Sequence, residues 1–284
     1  MKSVYVLTKE ELRSLQLILL EMLLEVDRIC KKYHIKYSID GGTLLGAVRH
    51  GGFIPWDDDL DIVMTRKEYD KFKNAAIKEL DAGKYFYQDH LTDSHYRWGY
   101  AKIRRVDSEF VRFGQERLNM KTGIFLDIFP RDNVPDGFVI RRLHAFCCYF
   151  WRKVLFSEVG KITAVSAIKK IAYCVINRIP KETAFYVLEK IAKTCNKRKT
   201  KLSRCYTFPL PKKGCYGYKN EWFTQFCEIT FEGYEFPAAK DNHGYLVCDY
   251  GDYMQIPSEE KRRRHPCSKF SLPKGCEDVW KTAK

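Results

Sequence analysis

No stretch of this sequence is apolar for long enough to cross a bilayer. The most apolar windows, residues 15–26 and 145–156, are broken by Glu21, Glu25, Arg152 and Lys153, whereas a spanning helix needs about 20 predominantly apolar residues. The first eleven residues also lack the apolar run and small-residue cleavage site of an export signal. The expectation is a cytoplasmic protein. No two cysteines are spaced as CxxC, and their number, 11, is odd. This excludes a tidy disulfide framework and reads as reduced thiols. A zinc reading would draw on Cys205, Cys215, Cys248, His265, Cys267 and Cys276, whose spacings fit no known finger. Internal repeats and low-complexity linkers are absent too. Acidic residues are in deficit, 36 against 50 Lys and Arg, for a net charge of +14. Such a surplus suits polyanionic partners: nucleic acid, phosphorylated substrates or an anionic membrane. With 284 residues, 45% of them hydrophobic and 30% charged, the chain can bury a sizeable core and is not a disordered one.

Thr8 and Glu11 have the spacing of a capping box, and Leu12, Leu15, Leu19, Leu23, Val26 and Cys30 follow at helical intervals. A helix is expected to about Tyr33. A short strand at 35–40, two glycines and a short helix from Thr43 come next. A strand at 59–64 leads to a second capping-box pattern, Thr65 and Glu68, opening a helix to about Leu80. "RWGYAKIRRV" at 97–106 alternates as a strand and "SEFVRF" at 108–113 is expected to pair with it. "TGIFLDIFP" at 122–130 reads as a buried strand ending at Pro130. The order implies an α/β (α+β) fold. From Phe138 the chain turns helical, aromatic and basic, and from about Leu202 loop-rich.

The chemistry concentrates in "GGTLLGAVRHGGFIPWDDDLDIV". Side chains alternate along a strand, so Asp59 and Asp61 share one face while Leu60, Ile62 and Met64 share the other. Two carboxylates so placed form half of a magnesium site, and manganese is the alternative ion. Asp57 and Asp58 belong to the preceding loop and would cap or orient the site. A third carboxylate is expected from a neighbouring strand, and Asp127, alone among Phe125, Leu126, Ile128 and Phe129, is the candidate. It could also serve as base. Gly41 and Gly42 let backbone N–H groups approach a phosphate, and Thr43 can add its hydroxyl. Lys102 and Arg104 share a strand face and could neutralise charge on a phosphate; the plainer reading is a solvated face. Arg49, after the short helix, is a similar candidate. A solvated acidic turn and a salt-bridged core aspartate explain Asp57–Asp61 and Asp127 singly, but not together.

Taken with "YAKIRR", "GIFLDIFP" and "YGDYMQIP", that block resembles the LicD family of the nucleotidyltransferase-fold superfamily, whose domain is shared by fukutin and fukutin-related protein. The resemblance spans residues 37–257, although 138–204 match only in general character. It implies a nucleotidyltransferase-like mixed sheet flanked by helices, and the shifts in character along the chain then divide it into a catalytic core at 1–133, a helical basic and aromatic segment at 134–200 that could face a membrane, and a C-terminal substrate-binding region at 201–284 completing the same domain. It implies a phosphotransferase that moves phosphocholine, or another phospho-alcohol, from CDP-choline or a related CDP-alcohol to a hydroxyl of a cell-surface glycan, releasing CMP. The metal ligands would then be Asp59, Asp61 and Asp127, with Lys102 and Arg104 in catalysis. The substrate contacts would be Gly41, Gly42, Thr43, Arg49, Asp58 and His265. Choline recognition would want an aromatic cage, for which Trp56, Trp98, Tyr100, Trp222 and Tyr250 are candidates among many.

The stretches 138–156 and 161–179 set Arg and Lys among Phe, Trp and Leu, which suits an interfacial helix at an anionic membrane or an ordinary helical subdomain. A lipid-linked glycan acceptor and a place at the inner face of the plasma membrane agree with the first. The run "EEKRRRHP" could contact nucleic acid or a phosphorylated acceptor, but most such runs are solvated surface, and no nucleic acid is expected as a partner. Two other functions keep a place: nucleotidyl transfer with release of pyrophosphate, and a basic RNA- or membrane-binding module with an inactive fold.

Overall fold

The computed structural model describes residues 4–208, 216–262, 264–276, 278 and 281. Helix α1 (Lys9–Lys32) opens with the capping box its sequence promised. Thr8 Oγ1 accepts from the Glu11 N–H at 3.1 Å, and the Glu11 carboxylate accepts from the Thr8 N–H at 2.9 Å. Leu15, Leu19, Leu23 and Val26 are fully buried on its inner face, each contributing roughly 1.5–3 kcal/mol relative to exposure. Strand β1 (Ser38–Ile39), helix α2 (Gly41–His50), strand β2 (Asp61–Thr65) and helix α3 (Arg66–Glu79) follow. Next come β3 (Tyr85–Gln88), β4 (Ala101–Arg105), β5 (Glu109–Arg112) and the long β6 (Phe125–Asn133). Helices α4 (Phe138–Thr163), α5 (Ala167–Ile176) and α6 (Lys181–Ala192) form the helical insert. The chain closes with β7 (Leu202–Arg204), β8 (Tyr218–Lys219), β9 (Phe226–Phe231), β10 (Tyr234–Ala239), α7 (Asn242–Tyr250) and β11 (Cys267–Ser271).

The main sheet has the order β1-β2-β6-β4-β3, with β7 and then β8 added at the far end of β6. Only β2 and β6 run parallel; the other pairs are antiparallel. Helices α1 and α3 pack against one another and both pack against β6, so β2 and β6 read as near-continuous apolar runs. A separate apolar cluster, with Cys148, Val154, Leu155, Phe185 and Leu188, holds the helical insert together. The fold is therefore mixed α and β, as its pattern implied.

Four local expectations change. Helix α2 begins at Gly41 rather than Thr43. Thr65 precedes α3 but makes no capping hydrogen bond, and the Glu68 carboxylate is engaged elsewhere, accepting from the Lys36 N–H at 3.2 Å and pairing with Lys71 at 3.2 Å. Strand β5 pairs with β11, not with its neighbour β4. Strand β6 runs on through Pro130 to Asn133. The Asp127 N–H donates to Leu60 across to β2, so by alternation position 130 points its missing donor away from β2. There β4, which pairs only as far as Ile128, has already ended.

Candidate active site

Register sets the site. Asp61 on β2 lies opposite Asp127 on β6, and Asp127 lies opposite Lys102 on β4. Three adjacent strands thus carry acid, acid and base in one row across one face. Asp61 is clasped on both sides: its N–H donates to Thr43 Oγ1 at 2.9 Å and its carbonyl accepts from the Asp40 N–H at 3.0 Å. Thr43 is buried, so its oxygen joins the glycine turn to the acidic strand. Gly41 has φ of +51°, which favours glycine, and a Cβ there would stand 3.6 Å from Asp61 Oδ2. A Cβ at Gly42 would stand 2.8 Å from Asp57 Oδ2. The carboxylates crowd the turn directly.

That crowding is electrostatically costly. Burial pushes the Asp61 carboxyl well above the usual range, and Asp59, Asp127, Asp40 and Asp57 push the same way. Asp57 is raised by burial and then by Asp59 and Asp58. Asp59 is raised by burial, against the pull of His265 and Arg112. Asp61 Oδ1 is buried with no hydrogen-bond partner among the described residues. An orphaned carboxylate oxygen among like charges, beside a glycine turn, is the donor chemistry of a hard divalent cation, so the residues fit magnesium or manganese.

The remaining candidates have definite places. Lys102 and Asp127 form a buried ion pair, and burial pulls the Lys102 ammonium down to about 7 despite Asp127. Its Nζ stands 3.7 Å from the centre of the Phe125 ring. Arg104 is buried too, donating to Gln88 Oε1 and to the Gly123 carbonyl, each at 2.7 Å, which makes it a strut under the row. Both are buried, so the solvated-face reading fails for them. Asp58 is buried and orients His265, accepting from its N–H at 2.8 Å and facing its ring Nδ1 at 2.9 Å. The same Nδ1 is 3.3 Å from Asp59 Oδ2. Among the described residues, Asp58, Asp59 and His265 form the group whose ligand atoms already lie close enough to share a cation; Asp127 instead faces Lys102. Arg49 is tied to the Tyr253 carbonyl at 2.7 Å and lines no cleft beside the row. No metal-capable group among the described residues contains a cysteine, and Cys215 lies outside them.

A cleft of about 310 Å³ opens beside Gly41, Gly42 and Asp61. Its walls hold Asp40, Asp249 and Arg131 and the rings of Phe129, Tyr245 and Tyr250. Arg131 is committed to Asp40, 2.8 Å away, and its guanidinium lies 4.6 Å from the Tyr218 and Phe223 rings. Of the aromatic residues singled out in the sequence, Tyr250 lines this cleft, Trp98 and Tyr100 line another, Trp56 lines a groove near Arg262, and Trp222 is core. Asp40, Arg131, Asp249, Tyr245 and Arg112 were not singled out. For Asp40 the signal was its place directly before the two glycines. For Arg131 it was a charge following a buried strand.

The glycine turn clasped to Asp61, with Asp127 in register beside it, is the feature that the comparisons with known proteins bear on. Residues 34–150 match the model of the LicD family, described as LicD/FKTN/FKRP, nucleotidyltransferase domain. Lipopolysaccharide cholinephosphotransferase LicD of Haemophilus influenzae is 29% identical over 282 residues, covering 90% of this chain and 96% of that protein. An uncharacterized protein of Rickettsia prowazekii is 54% identical over 44 residues, 16% of each chain. The human ribitol 5-phosphate transferase FKRP is 57% identical over 28 residues, 10% of this chain and 6% of its own.

Proposed function

We propose that this chain is a divalent-metal-dependent phosphotransferase that moves a phospho-alcohol from a CDP-linked donor to a glycan hydroxyl and releases CMP. The observation that carries the reading is the in-register pair Asp61 and Asp127, with Asp59 beside them, at the glycine turn. The acceptor oxygen attacks the distal phosphorus, the bond from that phosphorus to the bridging oxygen breaks, and CMP leaves with that oxygen. A bound magnesium ion supplies neutralisation of the diphosphate charge; Asp59 and Asp61 would hold it. Asp127 takes the hydroxyl proton, and its ion pair with Lys102 fixes its orientation. Gly41 and Gly42 bring backbone against the phosphate.

Phosphocholine is favoured over phosphoribitol by the cleft itself. Asp249 among the rings of Phe129, Tyr245 and Tyr250 suits a quaternary ammonium. The cholinephosphotransferase likeness over most of the chain points the same way. The test incubates the full chain with CDP-choline, CDP-ribitol or CDP-glycerol, a glycan acceptor and magnesium. CMP formed from one CDP-alcohol, and lost with EDTA and in Asp59→Asn, is expected. Pyrophosphate from CTP without CMP would move the assignment to nucleotidyl transfer.

We also place the enzyme at a membrane surface on the cytoplasmic side. No helix among the described residues is long and apolar enough to cross a membrane. Yet 12 of the 26 exposed large apolar side chains among them fall between Phe138 and Val175, with Val165 at 99% and Ile168 at 79% exposure. Residues 138–178 carry eight Lys and Arg and one acid, Glu158, which pairs with Lys161 at 2.7 Å. Apolar side chains ringed by unopposed positive charge fit an anionic lipid surface. Sedimentation with phosphatidylglycerol vesicles, and its loss in Ile168→Glu/Ile171→Glu, is expected; a soluble dimer that the same pair dissolves would overturn the placement.

A further inference from the structure

On the other side of the row lies a second cleft, of about 360 Å³, between the start of β4 and helix α4. Four cations line it, Arg97, Arg112, Arg152 and Lys153, and no carboxylate does. Trp98, Tyr100 and Phe156 supply flat apolar surface, and Phe208 is shared with the acid-lined cleft.

Converging cations repel, and taking them out of water adds to the cost. Some of this is relieved locally. Arg97 donates to the Leu155 carbonyl at 2.8 Å, Lys153 reaches the Tyr173 hydroxyl at 3.4 Å, and Arg112 lies 3.7 Å from Asp59. Some is not. Arg152 Nη1 and Arg112 Nε are buried with no hydrogen-bond partner among the described residues. Burial holds the Arg97 guanidinium below its usual range, and burial together with neighbouring Arg204 does so for Arg152. A buried donor left unanswered costs about 1–3 kcal/mol, more when charged. An oxyanion with several acceptor oxygens answers such donors at once, and guanidinium groups match its geometry.

We propose that this cleft is a binding site for the phosphate of a substrate, held by Arg112, Arg152 and Lys153, with the attached ring system resting on Trp98 and Phe156. The site rests on the phosphotransferase reading only for which phosphate arrives. Two sources offer the same chemistry: the nucleotide half of the donor, or a phosphate on the glycan acceptor. Arg112 joins the cleft to Asp59, so a phosphate bound here sits next to the acid row in either case.

The test is calorimetry of the full chain in EDTA with CMP, pyrophosphate and N-acetylglucosamine 1-phosphate as probes, so that neither turnover nor metal enters. Wild type is expected to bind pyrophosphate and one of the other two. Arg152→Gln should weaken that binding on the order of ten- to a hundredfold, and Arg152→Lys should recover part of it. Lys153→Gln, at a half-buried position, gives the same reading should Arg152→Gln fail to fold. Loss centred on CMP assigns the cleft to the donor; loss centred on the sugar phosphate assigns it to the acceptor. Wild type binding none of the probes, or both glutamine variants binding them unchanged, overturns the site. A chain that turns over no CDP-alcohol yet binds these anions through Arg152 would sink the reaction and leave the site standing.

Discussion

The two clefts share the Phe208 wall and differ in the sign of their charge. One gathers Asp40, Asp61 and Asp249 from the glycine turn, β2 and α7. The other gathers Arg97, Arg112, Arg152 and Lys153 from around β4 and β5 and from α4. The acid-lined cleft does contain guanidinium groups, but Arg131 is spent on Asp40. Composition alone, at +14, would have suggested a uniformly positive surface. The lesson is that net charge describes the partner class while the placement of a few acids describes the reaction.

The sharpest way to break the comparison is at the divide. Asp59→Asn should cut CMP release by at least about a thousandfold, read by single-turnover assay with CDP-choline; a loss below tenfold would remove Asp59 from the metal. Next in size is the ion pair beneath the divide. Lys102→Met leaves Asp127 buried and uncompensated and should cost about 3–4 kcal/mol in urea unfolding. The double change with Asp127→Asn should recover much of that, which a purely steric effect would not do. The contrast between the clefts sharpens with Asp249→Asn. That change should raise KM for CDP-choline about tenfold and leave CDP-ribitol unmoved; an equal rise for both donors would deny the cleft its selectivity for a cation.

The smallest effect concerns stability and pH. Burial and neighbouring acids raise the Asp61 pKa above its unfolded value. The contribution is therefore fully present below about pH 3.9, the unfolded value, and lost as pH rises through the folded one. The metal-free protein should lose stability over that window, and magnesium should restore it at neutral pH. Asp61→Asn should raise the metal-free stability at neutral pH by about 1 kcal/mol and abolish the magnesium-induced rise in Tm. A variant less stable than wild type without metal would show that the crowding is already relieved.

What the sequence made legible was local. The capping box at Thr8, the glycine turn and the acids at Asp59, Asp61 and Asp127 all rest on short spacings. Alternation placed Asp59 and Asp61 on one strand face, but β2 begins at Asp61 and leaves Asp59 in the preceding loop. What stayed hidden was set by distant partners. Nothing near Lys102 announces that its ammonium will be claimed by a carboxylate 25 residues on. Glu68 looked like a capping residue, yet its carboxylate accepts from Lys36. The pairing of β5 with β11 joins segments more than 150 residues apart. Asp58 and His265, named separately as substrate contacts, meet because that pairing brings the C-terminal segment back over the acid loop.

The parallel register of β2 on β6 has a consequence for how this chain can vary. Asp127 looks across at Asp61 only because both strands keep count: one residue added within Phe125–Asn133 would turn the carboxylate to the far face and offer Leu126 or Ile128 in its place. The same parity holds for β4, where Lys102 faces Asp127. The site is thus written in parity rather than in distance along the chain. A library of single-residue insertions should lose activity at every position within β2, β4 and β6.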